Sequence, residues 1–124
     1  MAGVGPRDID YLGLYDSFTI TVLEQREGLG FCEKGNGGSL VVSGALRSPD
    51  GSLPTIGDGG GLCNDHPGAR GSMPEMIEAV RQLRGEATPE VQVRDCRIAL
   101  DKRYRGSIGI RMGSGTLVLG SEAV

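Results

Sequence analysis

The side chains with reactive potential in this 124-residue chain fall in three short stretches. The first is Gly59-Gly60-Gly61-Leu62-Cys63-Asn64-Asp65-His66-Pro67-Gly68, which holds the chain's only histidine. A histidine titrates near neutral pH and can take a proton from a thiol or return one to a leaving group. On a glycine-rich loop just ahead of a helix, His66 would lie beside backbone N–H donors that favour negative charge; its other reading is a solvent-facing loop residue. Cys63, three residues earlier, invites a cysteine–histidine reading, but Asn64 and Asp65 would have to turn the chain back, and a free cysteine is commonly a small buried hydrophobe. The second stretch is Leu14-Tyr15-Asp16-Ser17-Phe18. Tyr15 offers a phenol that can donate to a developing oxyanion or act as acid or base if its pKa is lowered; the alternative is a ring packed at a strand end. The third is Lys102-Arg103-Tyr104-Arg105, whose cations could meet phosphates or remain solvated.

Gly59-Gly60-Gly61 is not a phosphate loop, because no Gly-Lys-Ser/Thr follows it; Gly60 and Gly61 suit close backbone approach beside His66. Cys32, Cys63 and Cys96 are odd in number and lack a Cys-x-x-Cys pair, so zinc is not expected and free thiols in a reducing compartment are. No metal and no cofactor is expected.

These stretches must be positioned by a modest set of elements. Alternation over Asp8–Tyr15 predicts a strand, after which Ser17 caps a helix running to about Glu27, with Phe18, Val22 and Leu23 on one side and Gly28 or Gly30 ending it. Gly35–Leu53, with Leu40-Val41-Val42 between glycine-rich turns, predicts an irregular hairpin, and Gly57–Gly71 a loop. Ser72-Met73-Pro74-Glu75 reads as a capping box opening a helix. Met73, Met76, Ile77, Val80 and Leu83 then recur at helical spacing until Arg84 and Gly85. Val91–Val93, Cys96–Leu100 and Thr116–Leu119 read as strands, with a glycine-rich turn before the last. The order predicts an α/β domain over residues 1–124 with a mixed sheet and a helix buried against it.

The bulk composition agrees with one soluble domain: 38% hydrophobic and 23% charged residues. A net charge of −3 and a pI near 5.1 supply no positive field for nucleic acid. No apolar run approaches the roughly 20 residues of a membrane span, and the first residues lack the pattern of a signal peptide, so a cytoplasmic protein is expected.

Four segments together resemble the carboxyl-terminal half of lipid-transfer-protein-like, or sterol-carrier-type, members of the thiolase superfamily. They are Leu14–Thr19 with Leu29–Gly35, Gly59–Gly68, the helix Ile77–Gly85, and Gly113–Leu119, in the family's order over nearly the whole chain. The resemblance implies the thiolase-like fold, here a single carboxyl-terminal α/β repeat. The active site would lie between this repeat and an amino-terminal half carrying the nucleophilic cysteine. It further implies a coenzyme A thioester as substrate, with acyl transfer or carbon–carbon bond cleavage or formation in lipid or steroid side-chain metabolism. The implied partners are acyl-CoA and either the amino-terminal thiolase half or a second copy, since one apolar helix face would be left partly uncovered. A non-catalytic acyl-CoA-binding or scaffold subunit is the other reading.

By this resemblance His66 and Pro67 occupy the family's His-Pro position, and Asp65 stands where the thiolase pattern has glycine. Tyr15-Asp16-Ser17-Phe18 replaces Asn-Glu-Ala-Phe or His-Asp-Cys-Phe, as in aldolase members that cleave thioester side chains by a retro-aldol step. Such members would carry a second tyrosine in the His66 loop, which is absent here. The family's His-Gly-x-Gly-Gly segment aligns with Lys102–Gly106, so that acid or base is lost. His66 and Tyr15 are thus the expected catalytic residues, and Gly60, Gly61, Pro67, Lys102 and Arg103 the expected substrate-binding ones.

Overall fold

A computed structural model describes residues 3–64, 73–107 and 110–121. After a short 3₁₀ turn, Pro6–Asp8, come β1 (Tyr11–Leu14), α1 (Thr19–Leu29), α2 (Gly37–Val42), the single-turn α3 (Gly60–Cys63), α4 (Met73–Arg84), β2 (Ile98–Ser107) and β3 (Ile110–Gly120). The sheet is mixed, in order β1-β2-β3: β1 runs parallel to β2, Tyr11 opposite Ala99, and β2 antiparallel to β3, Leu100 opposite Val118. Asp10 fixes the parallel register, its carboxylate accepting the N–H groups of Arg97 and Ile98 at 2.9 Å each. Residues 54–56 extend the free edge of β1 through Leu12 N–H to Pro54 O (2.9 Å) and Ile56 N–H to Leu12 O (3.2 Å).

Period-2 alternation sorts the sheet's side chains between two helical layers. Leu12, Leu14 and Leu100 join Ile9 and Leu53 in a core that α1 covers with Val22 and Leu29. Tyr11 and Ala99 face the other way and pack with Ala79 of α4, Val93 and Cys96. α1 ends as expected at Gly30, whose φ of 83° lets Phe31 N–H reach Arg26 O at 3.0 Å. Its N-cap is Phe18 rather than Ser17: Phe18 N–H donates to Thr21 Oγ1 at 3.0 Å, and the Phe18 ring is exposed.

The expected hairpin over Gly35–Leu53 is instead helical. Leu40-Val41-Val42 ends α2, because Gly37 tucks under α1, its N–H donating to Glu27 Oε1 at 3.1 Å, and among the described residues no strand lies alongside to pair with. The Gly57–Gly71 loop contains α3; its remainder, from Asp65, and Ser72 of the expected capping box lie outside the described residues. The helix expected over 72–84 is α4, closed by Gly85 at φ 70°. Val91–Val93 is not a strand. Gln82 holds it, Oε1 accepting Val93 N–H at 2.7 Å while Nε2 donates to Val91 O at 2.9 Å. The strand expected from Cys96 begins at Ile98, and β2 and β3 run well beyond the predicted cores.

Candidate functional site

The carboxyl end of β1 and the adjoining middle of β2 lie near α3 and the first turn of α4, and of the sequence-predicted residues Tyr15, Gly60, Gly61, Lys102 and Arg103 belong to these segments. Tyr15 follows β1 directly; its N–H donates to Lys102 O at 3.1 Å, and its carbonyl accepts from Gln25 Nε2 at 2.7 Å. Tyr15 and Lys102 are therefore neighbours across the parallel pair, and both are half-buried.

Asp16, the next residue, is buried, and its carboxylate binds the amino end of α3: Gly61 N–H at 2.8 Å to Oδ1 and Leu62 N–H at 3.1 Å to Oδ2. Two otherwise unpaired helix N–H groups are thereby satisfied by a negative charge where the helix favours one. This contact requires glycine at position 60. Gly60 has φ 57°, and a Cβ there would stand 2.5 Å from Asp16 Oδ2. Gly60 N–H is itself taken by Asp58 Oδ1 at 3.1 Å. The amides of Gly60 and Gly61 thus serve the chain's own carboxylates, and through them Asp16 ties the Tyr15 strand end to the segment that enters the His66 loop. His66 and Pro67 lie outside the described residues.

Arg103 turns inward. Its Nε donates to Asp101 Oδ2 at 2.6 Å, and Nη1 approaches Met73 Sδ at 3.5 Å. Asp101 is fully buried and stands against Gly13, where a Cβ would lie 3.2 Å from Oδ1. Glu75, on the first turn of α4, is also buried, and among the described residues neither of its oxygens has a hydrogen-bond partner. Burial, then the Asp16, Asp58 and Asp101 carboxylates, pushes its carboxyl up to about 7. Burial likewise raises Asp101, against the opposing pull of Arg103. This end of the domain is a buried acidic cluster with Arg103 set against Asp101.

Sequence reasoning did not single out Asp16, Glu75 or Asp101. The legible signal for Glu75 was the second stripe of α4, Glu75-Glu78-Gln82, at the same helical spacing as its apolar one. The three cysteines are free, as expected. Cys96 is a packing residue whose thiol burial pushes up to about 12. Cys32 is half-buried and raised by desolvation, then by Glu27. Cys63 is exposed on α3. Among the described residues no group of histidine, cysteine or carboxylate side chains could hold a metal ion, and no helix is long and apolar enough to cross a membrane.

Residues 1–121 match the model of the family described as "Thiolase C-terminal domain-like". An acetyl-CoA acetyltransferase of Methanothermobacter thermautotrophicus is 37% identical over 109 residues, covering 88% of this chain and 28% of that protein. A steroid side-chain-cleaving aldolase of Thermomonospora curvata is 39% identical over 89 residues, covering 68% of this chain and 20% of its own length. Among solved structures, the "Ltp2-ChsH2(DUF35) aldolase" superposes with a TM-score of 0.80 at 34% identity, over 98% of this chain and 29% of that one. The chain thus spans less than a third of each of these relatives.

Proposed function

The chain belongs to the thiolase C-terminal domain-like family, and from that membership we propose that it supplies the carboxyl-terminal half of a site acting on a coenzyme A thioester. An amino-terminal thiolase half completes the site, and the reaction is acyl transfer or carbon–carbon bond cleavage or formation on a lipid or steroid side chain. The observation that carries this reading is the junction where Asp16 binds Tyr15's strand end to the segment leading into His66. A phenol placed there can donate to a thioester oxyanion, and an imidazole can move the proton. Tyr15 in place of an amide or imidazole side chain favours the retro-aldol branch, because aldolase members of the family carry a tyrosine there. Pro67, next to His66 in the sequence, and Lys102 are the further residues assigned to the substrate. The three unpaired thiols support a cytoplasmic, reducing setting.

The decisive experiment combines the chain with an amino-terminal thiolase half and follows release of coenzyme A or of the side-chain carbonyl product. His66→Ala should abolish turnover, and Tyr15→Phe should lower a retro-aldol step by about 10²-fold or more while slowing thiolysis modestly. Absence of turnover in the wild-type assembly, with His66→Ala indistinguishable from it, rules the enzyme reading out. One observation favours a second reading, a non-catalytic acyl-CoA-binding subunit. Arg103, in the segment where the family places an acid or base, is committed to Asp101. That reading expects acyl-CoA binding without turnover.

A further inference from the structure

A cavity of about 460 Å³ opens between α1, α2 and α3. Val22, Leu23, Val41, Ile56, Leu62 and Cys63 form most of its wall. Its size falls in the range of small-molecule sites, and walls of this kind favour an apolar occupant over water, which would find few hydrogen-bond partners. The cavity adjoins the candidate site, because Asp16 lines it. Asp16 contributes no free charge to it, both oxygens being engaged by Gly61 and Leu62.

One polar group in the wall is unsatisfied. Arg26 is 1% exposed, and its Nε and Nη1 have no acceptor among the described residues. A guanidinium desolvated without an acceptor is costly, and the same burial lowers its pKa to about 10. A ligand oxygen reaching the depth of the cavity would relieve this.

Resting on the functional reading above, the geometry points to the cavity as the seat of the thioester's acyl group: an aliphatic chain or ring system of medium length, bearing an oxygen at its far end for Arg26. The thioester end then lies on the Asp16 side, next to Tyr15.

Cys63, exposed on the cavity wall, reports occupancy without mutation. Its alkylation by iodoacetamide is followed by peptide mapping on the chain alone and with the amino-terminal half. Octanoyl-CoA should slow alkylation about tenfold or more and acetyl-CoA less than about twofold, because only the longer group reaches the wall. ω-Hydroxyoctanoyl-CoA should bind about fivefold tighter than octanoyl-CoA, and Arg26→Met should erase that preference without unfolding the chain. Equal protection by acetyl-CoA and octanoyl-CoA overturns the assignment. So does protection by the amino-terminal half without ligand, which would mean that a protein surface fills the space. If no coenzyme A thioester binds, the functional reading fails by itself. Free ω-hydroxyoctanoic acid then decides the cavity: protection of Cys63 upholds the site, and its absence removes it.

Discussion

The two faces of the sheet follow opposite rules. Toward α1, Leu12, Leu14 and Leu100 close with Ile9 and Leu53 into an ordinary apolar core. Toward α4, the strands present Tyr11, Gly13, Ala99 and Asp101, and the helix answers with Ala79 and the buried Glu75, Glu78 and Gln82. Much of the apolar stripe of α4 looks outward instead: Met73 is 43% and Ile77 48% exposed, while Leu83 packs against the sheet-side core. A helix that turns its polar stripe to its own sheet and its apolar stripe away is built to lie between two layers, because only a second layer can bury the outward face. The α1 face therefore holds the domain together, and the α4 face prepares it for a neighbour.

The largest test of that division is Leu12→Ala. Leu12 is fully buried, and the substitution should lower stability by about 4 kcal/mol in urea unfolding. A loss under about 1 kcal/mol would mean that the α1 face is not the structural core.

Next comes the polar face, through its pH dependence. Glu75 is raised from 4.5 to about 7, chiefly by burial, so the folded state holds this proton more tightly than the unfolded chain does. The associated stability is complete below pH 4.5 and is lost as pH rises through about 7. The loss amounts to roughly 3 kcal/mol, since each tenfold difference in proton affinity between the two states is worth about 1.4 kcal/mol. Glu75→Gln, neutral and of equal size, should flatten the stability profile between these pH values. An unchanged slope would assign it to Glu78 and Asp101, which burial shifts in the same direction.

Gln82→Leu should have a smaller effect, about 2 kcal/mol, by leaving Val93 N–H and Val91 O without their partner. Amide exchange reads it directly. Val93 N–H should exchange faster, while Leu12 N–H, bonded to Pro54 O on the other edge of β1, should not.

Both faces were only partly legible in the sequence. Asp8–Tyr15 showed its alternation and α4 its 3.6-residue period, because each pattern is local. The apolar stripe of α4 was equally visible, and the family resemblance implied that one helix face would be left partly uncovered. What the sequence could not display was which stripe meets the sheet, since Glu75, Glu78 and Gln82 look like a solvated face until the Gln92 loop and Asp101 are placed beneath them. Leu40-Val41-Val42 misled for a related reason: β-branched residues favour strands only where a neighbouring strand exists, and here they end a six-residue helix with Val42 exposed. At the candidate site, Tyr15, Gly60 and Gly61 were singled out from residue type and from the family resemblance. The role of Asp16 was hidden because its partners, Gly61 and Leu62, lie 45 and 46 residues away.

The smallest expected effect on the chain itself sharpens the comparison furthest. Ile77→Ser removes an apolar side chain from the outward stripe of α4, at a position 48% exposed. Little apolar area is lost from the folded chain, so stability should move by no more than about 0.5 kcal/mol. The same residue would be central once another layer lies on α4, where truncating a buried apolar anchor weakens association by about tenfold or more. Titration of the wild-type and Ile77→Ser chains with an amino-terminal thiolase half separates the two quantities. Unchanged folding with weakened association makes the α4 stripe an interface, whereas a large loss of stability in the chain alone would make Ile77 part of the domain's own core and undo the contrast between the faces.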